Sequence, residues 1–344
     1  MPQRSAKVFL SLVVFGLLLV GCQENPTGPP STLASALSPR GPGAEAISGL
    51  WWFMFIVAVI VYAITMGLLA IALLRRRTGA VDLRARTPRG AYSFIVIAGI
   101  VVPLIILLVL FGFTLQTMVV IASPGEAGDS DSLTIQVIGH QWWWEVRYPL
   151  LGFETANEIH IPENVPVLIR LTSADVIHSF WVPELHGKID LIPGRTNTIW
   201  IEADSVGQFR GVCAEFCGLQ HAKMQMVVVS ESAEDFDLWV ARQQLPAPEP
   251  DNDVTFQGQQ IFQGSACVYC HTIRGTNAVS DLGPDLTHFA SRLTIGAGAV
   301  PNSPGHLAGW IVDSHGIKPG NRMPPMLLDS DDLNALLAYM QTLE

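Results

Sequence analysis

The segment Cys213-Ala-Glu-Phe-Cys217-Gly-Leu-Gln-His221-Ala-Lys-Met224 places two thiols, an imidazole and a thioether within twelve residues. Soft sulfur ligands combined with imidazole favour copper. A mononuclear blue-copper site takes one cysteine, two histidines and a weak axial methionine, so the second thiol is surplus there, whereas two coppers bridged by both sulfurs would use it. A second imidazole must then come from elsewhere, and His178, in His178-Ser-Phe-Trp-Val-Pro183, follows a β-rich run and a short turn as an upstream ligand loop would. On the residues alone, a Cys213–Cys217 disulfide and a zinc site built from Cys213, Cys217, His221 and His178 are the alternatives. Met224 counts against zinc, which prefers nitrogen, oxygen and thiolate donors.

A second constellation, Cys267-Val-Tyr-Cys270-His271, has the Cys-x-x-Cys-His spacing of covalent c-type haem attachment, with His271 as the proximal ligand. A thioredoxin-like Cys-x-x-Cys would need a βαβ setting that the neighbouring sequence does not offer. The sixth ligand belongs downstream, and Asn321-Arg-Met323-Pro-Pro325 presents Met323 shortly before the final helix, in preference to Met326. Histidine with methionine gives a high-potential haem with both axial positions filled. The fifth cysteine is Cys22, so none is left for a long-range bridge, the usual employment of cysteine in an exported chain.

These residues need a scaffold. Between Leu133 and Ser230, short β-rich runs (Leu133 to Ile138, Val165 to Leu171, Thr196 to Glu202, Met224 to Val229) alternate with Pro, Gly and Asn signals, which predicts an antiparallel sandwich. Gly207, Gly211 and Gly218 favour a loop at the sandwich rim over a helix for the Cys213 to Met224 segment. A helix at Ala233 to Gln244 precedes Leu245-Pro-Ala-Pro-Glu-Pro-Asp-Asn-Asp253, which reads as an extended linker between two independent redox domains. From residue 254 onward helices and Gly/Pro-rich loops take over. The last helix is capped by Asp329 or Ser330 and carries Leu333, Leu336, Leu337 and Met340 on one face.

A composition of 49% hydrophobic and 15% charged residues is too apolar for a wholly soluble protein. Leu50 to Leu74 and Ala91 to Ala122 are free of charge and long enough to span a bilayer, with Pro103 expected to kink the second span without ending it. Residues 1–21 carry Arg4 and Lys7, an apolar run and Leu19-Val20-Gly21-Cys22, the pattern of a lipoprotein-type signal peptide in which Cys22 is lipidated. Residues 22–49 then read as a flexible tether. Arg75, Arg76, Arg77, Arg84, Arg86 and Arg89 put the loop within 50–122 on the cytoplasmic side, and residues 123–344 outside. That outer part has 27 acidic against 11 basic residues, a net charge of −16. Nucleic acid is thereby a poor partner, while a basic protein partner would be steered in.

His178 with Cys213, Glu215, Cys217, His221 and Met224 resembles the binuclear CuA ligand set of cytochrome c oxidase subunit II. The similarity extends over Gly139-His-Gln-Trp-Trp-Trp144, His178-Ser-Phe-Trp-Val-Pro183 and Ile189-Asp-Leu-Ile-Pro-Gly-Arg195, roughly residues 45 to 240. Residues 254–344, with Gly283-Pro-Asp-Leu286, resemble a small class I cytochrome c, a combination similar to the caa-type haem-copper oxidases. The resemblance implies a multi-domain membrane protein with a two-helix transmembrane hairpin, a cupredoxin-like Greek-key β-sandwich over 123–244 and an all-α cytochrome domain over 254–344. It also implies a copper ligand in the Glu215 backbone carbonyl and a magnesium ligand, shared with subunit I, in its side chain. Trp142 aligns with the tryptophan through which electrons reach CuA, whereas Trp143, Trp144, His140, His160 and His186 read as structural. The implied partners are subunit I and other oxidase subunits in a bacterial plasma membrane, with an external cytochrome c as donor. A CuA-type nitric oxide reductase would show the same electron-input module, and a copper-handling or thiol-exchange lipoprotein would share the cysteine pair. The propeller of nitrous oxide reductase has no room here, and the quinol oxidase branch lacks these copper ligands.

Overall fold

A computed structural model describes residues 35–74, 88–122 and 133–344. The expected signal peptide, Cys22 and the arginines from 75 to 86 lie outside the described residues. Two long apolar helices come first: α1 (Pro42–Leu74), then α2 (Pro88–Val96), which continues through a π-helical turn (Ile97–Val101) into α3 (Val102–Ala122). No residue in the most apolar window of either helix is buried. Such all-round hydrophobicity without a covering layer fits lipid as the surrounding solvent. The π turn ends at the residue before Val102, whose N–H bonds the Ile97 carbonyl one residue further back than an α-helix would use. It ends two residues before Pro103, which has no N–H to give and crowds the preceding turn, so the helix absorbs the proline there and carries on.

Where it is described, the tether expected over 22–49 is helical from Pro42 and hydrogen-bonded to the sandwich at Arg40. The first helix starts at Pro42, eight residues before the expected span, with proline at a first-turn position that needs no N–H. The chain around this start is pinned to the sandwich, Arg40 N–H donating to the Glu184 carbonyl at 2.7 Å, Asp204 N–H to the Arg40 carbonyl at 2.9 Å and, in the helix's first turn, Ala44 N–H to the Leu185 carbonyl at 3.0 Å. The far end of α3 is held likewise, by Trp200 Nε1 donating to the Ile121 carbonyl at 2.9 Å.

The sandwich comprises two five-stranded sheets. The first runs β3 (Phe153–Ala156), β2 (Trp143–Tyr148), β1 (Thr134–His140), β5 (Val167–Ser173), β8 (Asn197–Ile201), and the second β4 (Glu158–Pro162), β10 (Gln225–Glu231), β9 (Gly207–Cys213), β6 (His178–Trp181), β7 (Ile189–Leu191). It is not wholly antiparallel as expected, because β1 pairs β5 and β10 pairs β4 in parallel. Strict alternation of burial along β1 and β10 fixes the register, turning Ile135, Val137, Met226 and Val228 into the core. Helix α4 (Ala233–Gln243), capped by Ser232, lays Phe236 and Trp239 against the sandwich.

The C-terminal region is built of helices and long loops, with a short hairpin of β11 (Thr294–Ile295) with β12 (Val300–Pro301) and an isolated bridge between Thr272 and Val279. Its helices are α5 (Asp253–Gly264), α6 (Pro304–Val312), α7 (Ser314–Ile317) and α8 (Ser330–Met340). Asn252 closes a capping box at α5, and Asp329 caps α8. The linker over 245–253 is extended but not free: Ala247 N–H donates to the Arg274 carbonyl, and the Leu245 carbonyl bonds His288 Nε2. The sandwich and the helical region pack against each other within one compact unit. Their seam is polar and bridged by hydrogen bonds. Gln225 N–H meets the Ala297 carbonyl, Leu293 N–H meets Glu158 Oε1, and buried Arg292 reaches Thr155.

Candidate functional site

Cys213 ends β9 and Met224 immediately precedes β10, so two adjacent antiparallel strands hold the ends of the intervening loop. His178 opens β6 itself instead of lying in a loop, and β6 pairs β9 through Phe180 and Cys213. The donor atoms converge: His178 Nδ1 is 3.9 Å from Cys213 Sγ, the two sulfurs are 3.7 Å apart, and His221 Nδ1 and the Met224 sulfur lie 3.7 Å and 3.8 Å from Cys217 Sγ. The Glu215 carbonyl oxygen is 3.2 Å from Cys213 Sγ, while the Glu215 side chain is exposed. Both thiols are free and buried, too far apart for the ~2 Å bond of a disulfide. Two sulfurs at the centre of a ring of two imidazoles, one thioether and one carbonyl suit soft metal ions, copper above all.

The charge pattern fits a cation. Hydrogen bonding from the Cys217 thiol pushes the Cys213 thiol's pKa down, and the same contact with burial pushes Cys217 up, so the pair favours one shared negative charge before any metal arrives. Asp175, which sequence reasoning missed, lies 2.9 Å from His178 Nε2 and accepts backbone N–H bonds from Gln141 and Val176. This arrangement fixes the imidazole's tautomer so that Nδ1 faces the sulfurs. Burial opposes the charge on Asp175, but His178 and the two backbone donors outweigh it and hold the carboxyl below its usual range. Gly139 is needed for space, since a Cβ there would stand 2.7 Å from the His178 ring.

Trp142 is half-buried, and its Nε1 donates to the Cys217 carbonyl at 2.9 Å; Gln141 Nε2 donates to the same oxygen at 2.8 Å. Gly218, at φ +113°, carries the chain through a conformation that L-residues rarely adopt and leaves room for the Trp142 ring, 3.1 Å from where its Cβ would be. Trp144 is fully buried in the core and Trp143 stacks on His140 at 4.3 Å.

In the helical region Cys267, Cys270, His271, Met323 and Met326 all line one cavity of about 510 Å³, walled by Phe262, Leu286, Phe289, Leu307 and Leu336. His271 Nδ1 is 2.8 Å from the Pro284 carbonyl, which leaves Nε2 for the cavity, and burial pushes the ring's pKa down toward the neutral, ligating form. Asn321 Oδ1 accepts from Met323 N–H and Ser314 Oγ donates to the Met323 carbonyl, fixing the loop that carries Met323. Two free thiols, an imidazole and a thioether lining one largely apolar cavity fit covalently attached haem. The cavity also has a wall from the other domain: His140, Gln141, Trp142 and Trp143 line it. Of the remaining histidines, His288 bonds the Glu344 and Leu245 carbonyls, whereas His306 and His315 are exposed.

Fold and site together define a membrane protein of electron transfer that carries a copper domain and a haem c domain on one chain. Residues 149–231 match the family described as cytochrome c oxidase subunit II, periplasmic domain, and residues 257–344 match the cytochrome c family. Cytochrome c oxidase subunit 2 of Alkalihalophilus pseudofirmus is 35% identical over 99% of this chain and 98% of its own length. The Bacillus subtilis protein of the same name is 29% identical over 98% of each. A solved periplasmic domain of subunit II of cytochrome oxidase from Bradyrhizobium japonicum is 36% identical over 34% of this chain and 96% of its own, with a TM-score of 0.33. The chain belongs to the cytochrome c oxidase subunit II family and is the subunit of an oxidoreductase.

Proposed function

We propose that this chain receives electrons from an external cytochrome c, holds haem c on Cys267 and Cys270 with His271 and Met323 as axial ligands, and holds a two-copper CuA centre. The copper ligands are His178, Cys213, the Glu215 carbonyl, Cys217, His221 and Met224. Electrons leave for the oxygen-reducing site of subunit I. When bound, the two groups supply one-electron redox couples.

The observation that carries this reading is the shared wall. Trp142 lines the haem cavity and donates a hydrogen bond to the carbonyl of Cys217, which makes one side chain a bridge from the cavity to a copper-ligating residue. The rest of the chain's work is to hold those donors still and dry. Burial of Cys213, Cys217, Met224 and His178 excludes water from the sulfurs, and Asp175 fixes His178, so little has to rearrange when charge changes. The exposed Glu215 side chain is free to reach a magnesium ion shared with subunit I. In this reading the apolar helices α1 to α3 sit in a bacterial plasma membrane beside subunit I, with the redox domains on its outer side and Cys22 lipidated. Electron paramagnetic resonance and metal analysis of the purified oxidised protein test the reading. Two coppers per haem, with hyperfine structure from one electron shared over both nuclei, is the expected result; redox-active thiols without stable copper would favour a thiol-exchange role instead.

A further inference from the structure

Lys318 is the only lysine after residue 223, and it is 2% exposed. Its ammonium sits in the seam between the sandwich and the helical region, donating to the carbonyls of Trp142 at 2.8 Å, Lys223 at 2.9 Å and Gly296 at 2.8 Å. Those are the bridging tryptophan, the residue before Met224 in the copper loop, and the β11–β12 hairpin of the haem region. An ammonium has three N–H donors, so the three carbonyls use its whole capacity, and only the charged form satisfies all of them.

The contacts around it reach the same copper loop and the same turn at Gln141–Trp142. Gln220 donates to the Pro319 carbonyl, Lys223 Nζ to the Ile317 carbonyl at 2.6 Å, and Arg322 to Gln141 Oε1 at 2.9 Å. The loop from Ile317 to Met323 thus lies on the copper loop and on the Gln141–Trp142 turn, with Met323 at its end.

Resting on the functional reading above, we propose that Lys318 is a positioning residue: it locks the Met323 loop onto the copper loop, so that the electron given up by the haem iron reaches the copper pair within one fixed arrangement and not through repeated docking. Substituting the lysine by an apolar residue leaves three carbonyls without donors in a closed seam, a cost borne only by the docked arrangement. The seam would then open part of the time. Arginine does not replace it, because its planar fork cannot converge three bonds from a single atom.

The test uses the intact oxidase. An electron is delivered to the haem by a photo-excited ruthenium complex, and its passage to copper is followed optically at increasing glycerol concentration; hydrogen exchange of residues 317–323 is measured in parallel. The native enzyme is expected to transfer at a rate independent of viscosity. Lys318→Met should slow transfer by about tenfold, ~1.4 kcal/mol in docked population, with a viscosity dependence and faster exchange at 317–323. Its copper resonance and sulfur-to-iron absorption band should stay native. Native rate and native exchange in that variant would overturn the proposal, and so would viscosity-dependent transfer in the native enzyme, which decides the matter if the variant does not assemble. A native enzyme lacking the two-copper resonance would instead sink the functional reading on which the proposal rests.

Discussion

Between β9 and β10, four donor side chains lie within twelve residues and His178 joins them from the neighbouring strand, so strand pairing alone assembles the copper site. The haem cavity is different. Cys267, Cys270 and His271 lie more than fifty residues from Met323, they meet only because α5, α6 and α8 build a core around them, and part of the wall belongs to the sandwich. A locally assembled site depends on a few atoms; a cavity assembled by packing depends on many contacts and tolerates the loss of any one. The two sites should therefore respond in opposite ways to single substitutions.

Cys217→Ser offers the sharpest contrast: it should abolish the two-copper resonance altogether while the haem stays attached, as read by electron paramagnetic resonance and absorption spectra of the same sample. Loss of both cofactors in folded protein would erase the distinction between the sites. Asp175→Asn comes next, loosening His178 and lowering copper affinity by roughly 10–100-fold in chelator competition, with the haem spectrum unchanged. Met323→Ala should leave the haem covalently bound and copper intact, removing the sulfur-to-iron absorption band and lowering the haem potential; retention of that band would hand the ligand role to Met326. Gly218→Ala should cost about 1–2 kcal/mol of stability in denaturant titration, because φ +113° is strained for alanine and the Trp142 ring is already in contact.

What was legible in the sequence follows the same division. Cys213, Cys217, His221 and Met224 were readable because their spacing is short and their chemistry specific, and Cys267, Cys270 and His271 because the attachment motif is contiguous. The four strongest β-rich runs became β1, β5, β8 and β10, but β2, β6 and β9 carry Trp, His, Arg and Gly that blur the alternation and were missed. The parallel pairing of β1 with β5 depends on contacts between distant segments, for which a single sequence holds no local signal. Asp175 looks like an ordinary turn residue, and Lys318 like an ordinary surface lysine, until the fold brings His178 to one and three carbonyls to the other. Residues 42–49 read as a tether because Pro, Gly and Ser dominate the stretch before them, whereas tertiary bonds from Arg40 and Ala44 decide the helix start.

The smallest predicted effect concerns the seam itself. His160 lies 3.1 Å from Glu231 and 3.9 Å from Glu158, stacked on Trp239 at 4.1 Å, with its backbone bonded both ways to the Tyr148 hydroxyl. Burial works against a charge on this imidazole, but the hydrogen bonds and charges of Glu158 and Glu231 outweigh it and raise the pKa above the ordinary value of 6.5. Glu158 is also the acceptor for Leu293 N–H of the haem region, at 2.6 Å, so the histidine's charge steadies a carboxylate that the seam uses. A raised folded-state pKa means that the folded protein binds the proton more tightly than the unfolded chain. The resulting stabilisation is complete below pH 6.5 and disappears as pH rises through the folded value. His160→Gln should accordingly lower the thermal midpoint of the full chain in mildly acidic solution and converge on the native protein in alkaline solution, while the copper resonance is untouched. A gap between the two proteins that widens with rising pH would show that burial, not the two glutamates, governs this histidine.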